Sequence, residues 1–147
     1  MVTLRGDLGS GKTTFVRGLA RGLGFEGRVG SPTYALCASY ELAAGRQLHH
    51  FDAYLAEKER AFLLEGGAEL LGGDGIAVLE WPERIEELLP ADRLEIEFAE
   101  GALLDERTLG IRGTGPRSER LAREIFAAAM PTFGGARSLG SPEVAIA

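Results

Sequence analysis

Apolar residues recur along this chain with two different periods, and the switches between them mark out its elements. Val2 to Leu4 is a short β-prone run. After a glycine-rich loop, Phe15, Leu19 and Leu23 fall at helical spacing within Thr14 to Leu23, and Gly24 supplies the stop. Val29 to Tyr40 is rich in Ser, Pro and Thr and then in aromatic and small residues, which predicts an ordered loop entering a strand. The turn Ala43 to Arg46 separates it from Gln47 to Tyr54, so the two runs predict a β-hairpin inserted after the first helix. Glu57 to Leu71 has helical spacing at Ala61, Leu64, Ala68 and Leu71, interrupted by Gly66 and Gly67. Ile76 to Leu79 is continuously apolar, the mark of a strand covered on both faces in the parallel core of an α/β sheet.

Downstream, Pro82 to Leu89 predicts a short helix ended by Pro90. Arg93 to Ala99 alternates apolar and polar residues and predicts an outer antiparallel strand, paired with a second strand near Arg107 to Arg112. Arg117 to Met130 predicts an amphipathic helix with Leu121, Ile125 and Ala128 on one face. From Pro131 onward there is no period and several breakers, which predicts a flexible tail over 131–147 after a domain over 1–130.

A chain of 147 residues with 45% hydrophobic content supports one domain with a real core. Its net charge of −6 argues against a broad surface tracking phosphates, so any RNA in its function would be held by a partner. The single cysteine, Cys37, excludes a disulfide framework and suits a reducing cytosol. No stretch approaches the length of a membrane span and the start lacks a signal-peptide pattern, so the expected location is cytoplasmic, without membrane contact.

The chemistry begins at Gly6 to Thr13, GDLGSGKT, which fits the phosphate-binding pattern GxxxxGK[ST] at every fixed position. Glycines let the backbone curl so that successive N–H groups face a phosphate at the start of the following helix. Lys12 adds charge for the β- and γ-phosphates, and the Thr13 hydroxyl is placed to hold Mg²⁺. Hydrolysis also needs a carboxylate at the carboxyl end of a core strand, where Glu80 directly follows IAVL. Asp52, in HHFDAY, is a candidate to orient a metal-bound water or, alternatively, to cap a turn. His49 and His50 are adjacent, so they point to opposite faces of a strand and at most one faces the site. Thr33, in the segment SPT, lies where a γ-phosphate sensor is often placed.

The motifs GDLGSGKTTF, SPTY, HHFDAY and LEWPER, in this order, resemble those of the TsaE (YjeE) family of bacterial ATPases, over Leu4 to about Arg112. That resemblance implies an α/β P-loop NTPase domain, its mixed sheet having a parallel core, antiparallel additions and helices on both faces. It implies ATP and Mg²⁺ as cofactors, with Gly9, Ser10, Gly11, Lys12, Thr13 and Thr14 on the phosphates and Thr13 and Glu80 on the metal. Asp52 and Thr33 would act around the γ-phosphate, Trp81 matches the tryptophan after the acidic residue, and Arg107 matches an arginine near the nucleotide. The implied partner is a TsaB–TsaD heterodimer that builds threonylcarbamoyladenosine beside the tRNA anticodon, with tRNA met only through it.

Two departures stand out. Leu55 occupies a position where the family often has arginine. The family also carries a helix and strand upstream of the phosphate loop, whereas here Gly6 is the sixth residue. On that footing, apolar surface is expected to be exposed on Phe15, Val16 and Leu19, whichever of these the upstream segment would cover, and this chain is expected to be less stable than one extended by roughly 20 to 30 residues, one helix plus one strand. The competing functional readings are a small-molecule or nucleotide kinase, for which Glu57 to Asp74 with only Lys58 and Arg60 as bases is a poor lid, and a non-hydrolysing nucleotide-dependent binding module.

Overall fold

The continuously apolar run becomes an inner strand with neighbours on both sides, as its lack of alternation requires. The computed structural model describes residues 1–101, 103, 106–129, 137–138 and 143–146. Its elements in chain order are β1 (Val2–Arg5), α1 (Lys12–Gly22), β2 (Cys37–Glu41), β3 (Gln47–Asp52), α2 (Ala56–Phe62), α3 (Glu69–Gly72), β4 (Ile76–Glu80), β5 (Leu94–Glu100), β6 (Arg107–Gly113), α4 (Pro116–Ala129), β7 (Arg137–Ser138) and β8 (Glu143–Ile146). They build one mixed sheet in the order β2-β3-β4-β1-β5-β6-β8-β7. Strands β3, β4, β1 and β5 are parallel, with β2 and β6 added antiparallel on either side.

Register sorts the side chains into two layers. Leu4, Leu48, Val78 and Ile96 share one face and pack with Val16 and Ala20 of α1 and Ala122 and Ala129 of α4. Phe51, Ala77 and Leu79 share the other and pack with Leu63, Leu71 and Ile85. The sheet is therefore covered on both faces, and everything at even positions of β3 and β4 points toward α1.

Several expectations need correction. The alternating strand β5 is an inner strand, parallel to β1 and antiparallel to β6. Its polar face is satisfied by ion pairs: buried Glu95 meets Arg93 and Arg112. Pro82 to Leu89 forms two 3₁₀ turns, Pro82–Arg84 and Glu86–Leu88, and no α-helix. The predicted helix over Glu57 to Leu71 is split by a π turn at Leu63–Gly67, whose Ala68 N–H donates to Leu63 O at 3.1 Å; this turn absorbs Gly66 and Gly67.

In α4 the buried stripe is Ser118, Ala122 and Ala129, and Leu121 and Ala128 are exposed. Of the apolar surface expected on α1, Val16 is fully buried, while Phe15 is partly buried and meets Phe98 edge-on at 5.8 Å between ring centroids. Leu19 also packs against the same core. Within the stretch expected to be a flexible tail, Glu143–Ile146 is a strand paired with β6, and Arg137–Ser138 pairs with it in turn. The rest of that tail expectation lies outside the described residues.

Candidate functional site

The site forms where the parallel strands end. Leu4 is in register with Glu80 across β1 and β4, and Glu80 with Asp52 across β4 and β3, so both carboxylates sit at the same edge as the loop leaving β1. Gly6 opens that loop at φ +137°, and a Cβ there would come 2.8 Å from the Phe98 carbonyl oxygen of β5. Only glycine combines that dihedral with that approach. Gly11, at φ +106°, turns the chain directly into α1. Ser10 Oγ is buried with no hydrogen-bond partner among the described residues.

Lys12 Nζ donates to Gly6 O at 2.6 Å and Asp7 O at 2.8 Å and lies 4.0 Å from the centroid of the Trp81 ring. Burial holds its ammonium below the ordinary lysine value, an effect offset by Glu80, Glu83, Asp52 and Asp7. Thr13 Oγ1 donates to Glu80 Oε1 at 2.7 Å. The same carboxylate oxygen accepts from His50 Nε2 at 2.9 Å, and His50 Nδ1 is buried without a partner. A carboxylate only accepts, so the contact calls for a proton on His50 Nε2, facing Glu80. His49 points to the opposite face, where its Nδ1 lies 2.8 Å from Ser39 Oγ across the β2–β3 hairpin, and burial lowers its pKa.

Asp52 is 2% exposed, and both of its carboxylate oxygens accept hydrogen bonds. Its Oδ2 accepts from Ser31 Oγ at 2.9 Å and Thr33 Oγ1 at 2.5 Å, while Oδ1 accepts from the Tyr54 N–H at 2.9 Å. Arg17 on α1 holds the start of that loop, donating from Nε to Val29 O at 3.0 Å. Trp81 follows Glu80 in the left-handed region at φ 63°, a costly conformation for a bulky residue of the kind found at functional sites. Its ring meets Tyr54 at 5.4 Å between centroids.

Gly9, Gly11, Lys12, Thr13, Thr14, Thr33, Asp52, Glu80 and Trp81, all singled out in the sequence, line one cleft of about 450 Å³. Arg107 is placed elsewhere, at the start of β6 opposite Glu100, with Nη1 donating to Glu106 O at 2.6 Å; it does not line the cleft. Ser31, Arg17 and Tyr54 line it without having been singled out. Tyr54 had a signal in its motif, and Ser31 and Arg17 had none of their own.

A hard cation is chemically suited to this donor set. Among the described residues no group of three or more His, Cys, Asp or Glu is placed to hold a metal by itself. A hydroxyl and a carboxylate side by side, next to a phosphate loop, instead fit Mg²⁺, which completes its shell with water and phosphate oxygens.

Comparison with known proteins identifies the lineage. A family model described as threonylcarbamoyl adenosine biosynthesis protein TsaE matches residues 1–109. The chain belongs to the TsaE family. The TsaE protein of Bacillus subtilis (strain 168), named for tRNA threonylcarbamoyladenosine biosynthesis, is 40% identical over 125 residues, covering 85% of this chain and 77% of that one. The Haemophilus influenzae TsaE protein is 44% identical over 91 residues, 61% of this chain, and this chain spans only 56% of its length. The crystal structure of Bacillus subtilis YdiB superposes with a TM-score of 0.70 at 35% identity, covering 86% of this chain and 76% of that one. The TsaE fold is thus that of a P-loop NTPase, with parallel core and antiparallel additions as expected. No helix among the described residues is long and apolar enough to cross a membrane.

Proposed function

We propose that this TsaE-family protein is a Mg²⁺-dependent ATPase that serves tRNA threonylcarbamoyladenosine biosynthesis by acting on a TsaB–TsaD heterodimer. The observation that carries the reading is the contact between Thr13 Oγ1 and Glu80 Oε1, with Asp52 in register beside Glu80. Thr13 and Glu80 would hold Mg²⁺, which when bound neutralises charge on the β- and γ-phosphates. The loop amides and Lys12 would bind those phosphates. His50 fixes the Glu80 carboxylate through its Nε2–H. Asp52, clamped by Ser31, Thr33 and the Tyr54 N–H, would orient the attacking water, and phosphate and ADP would leave.

Two apolar side chains at the rim support a partner over the cleft: Leu8 is 82% and Tyr34, beside Thr33, 92% exposed. A kinase reading finds less support, because Arg60, one of two bases available to a lid, is ion-paired to Glu87. Phosphate release with and without the heterodimer is the test. Water-dependent release that the partners accelerate is expected; release only into a small-molecule acceptor would make the protein a kinase, and none under any condition would make it a binding module.

A further inference from the structure

A second cavity, of about 620 Å³, shares Arg17 with the nucleotide cleft and none of its other lining residues. Its walls are Arg17 and Arg21 of α1, Arg28, and the backbone of Gly27, Val29 and Gly30. Arg17 and Arg21 are one helical turn apart and so share a face, an arrangement that costs repulsion between like charges. Acidic residues are plentiful, 22 against 16 basic, and the arginines at 5, 60, 93, 112, 120 and 123 each pair with a glutamate. Among the described residues none lies within ion-pair reach of Arg17, Arg21 or Arg28. Arg17 spends its Nε on Val29 O at 3.0 Å, which pins the guanidinium to the wall and leaves its Nη donors for another acceptor.

We propose that this cavity is a second anion site, built for phosphate and separate from the phosphate loop. Three arginines lining one concave wall with glycine backbone suit a compact anion whose several oxygens can be shared, more than carboxylates on a protruding protein surface. The phosphate could come from a free oligophosphate or from an RNA phosphodiester, and the two are separated by probe.

The test uses the whole chain with Mg²⁺ and a non-hydrolysable ATP analogue saturating the cleft, titrated with tripolyphosphate and, separately, with a short single-stranded RNA. At least one probe is expected to bind on top of the analogue. Arg21→Ala/Arg28→Ala should weaken it about tenfold or more and flatten its salt dependence, with analogue affinity unchanged. Tripolyphosphate binding assigns a free oligophosphate, and binding of RNA alone assigns a phosphodiester. Failure of both probes, equal binding by the double variant, or arginine-dependent binding of polyglutamate alone overturns the proposal. The analogue titration reports on the nucleotide cleft independently.

Discussion

Glu80 and Asp52 occupy equivalent positions at the ends of neighbouring strands, yet their surroundings differ, and the proposed roles differ with them. Glu80 touches the helix that begins with Lys12, through Thr13, and is steadied from behind by His50. Asp52 is tied to the loop carrying Ser31 and Thr33. Glu80→Gln should therefore weaken Mg²⁺-dependent nucleotide binding, since a hard anionic ligand is lost. Asp52→Asn should spare binding and lower turnover by about 10²–10⁴-fold, the usual contribution of a positioned base, measured as steady-state phosphate release. Unchanged turnover in Asp52→Asn would mean the residue only shapes the loop. The two carboxylates were legible in the sequence because a fixed-pattern loop and strand ends point to them, whereas Thr33, in an ordinary SPT turn, was legible only through the company of the other motifs. His50 was half legible: adjacent histidines face opposite ways, but only the register with Glu80 tells which one faces the site. Ser31 and Arg17 act through loop geometry, which leaves no local pattern.

At the scale of elements, the loop from β1 to α1 depends on its contact with β5. Gly6→Ala would force a Cβ into the Phe98 carbonyl at a positive φ, so it should cost roughly 1–3 kcal/mol or more and lower the melting temperature together with ATP affinity. The β5–β6 pairing has a pH dependence of its own. Burial raises the Glu95 carboxyl, but the Arg112 hydrogen bond and charge, and then Arg93, outweigh it and hold the group below its ordinary value of 4.5. Because the folded state favours the ionised form, this stabilisation is present above that ordinary value and is lost as pH falls through the lower folded one. Arg112 is half exposed, so Arg112→Ala should cost about 1–2 kcal/mol at neutral pH, between a surface and a buried pair, and less in acid. Thermal melts of the variant and parent across that range check it. The same cluster explains why β5 was misplaced: alternation signalled a half-exposed outer strand, whereas its buried polar side is neutralised by arginines. The face of α4 was misjudged for a related reason, since Ser118 is buried to accept the N–H groups of Thr114 and Gly115.

For the whole molecule, the parallel core, the hairpin and the C-terminal helix were legible from periodicity, while the π turn and the pairing of Glu143–Ile146 with β6 come from long-range packing. The resulting sheet brings loop, Thr13, Glu80 and Asp52 to one edge, and a ligand bound there should stabilise the entire fold. At 100 times its dissociation constant, MgATP should add about 2.7 kcal/mol, raising the melting temperature by roughly 5–10 °C. The most direct measurement is a calorimetric titration of ATP into the parent chain and Lys12→Ala, each with Mg²⁺ and with EDTA. Saturable, Mg²⁺-enhanced binding to the parent is expected, with at least about tenfold weaker binding to a Lys12→Ala chain that melts normally, because the charged hydrogen bonds of Lys12 are worth about 1.5–3 kcal/mol each. Equal ATP affinity in parent and folded Lys12→Ala, with or without Mg²⁺, would contradict that expectation.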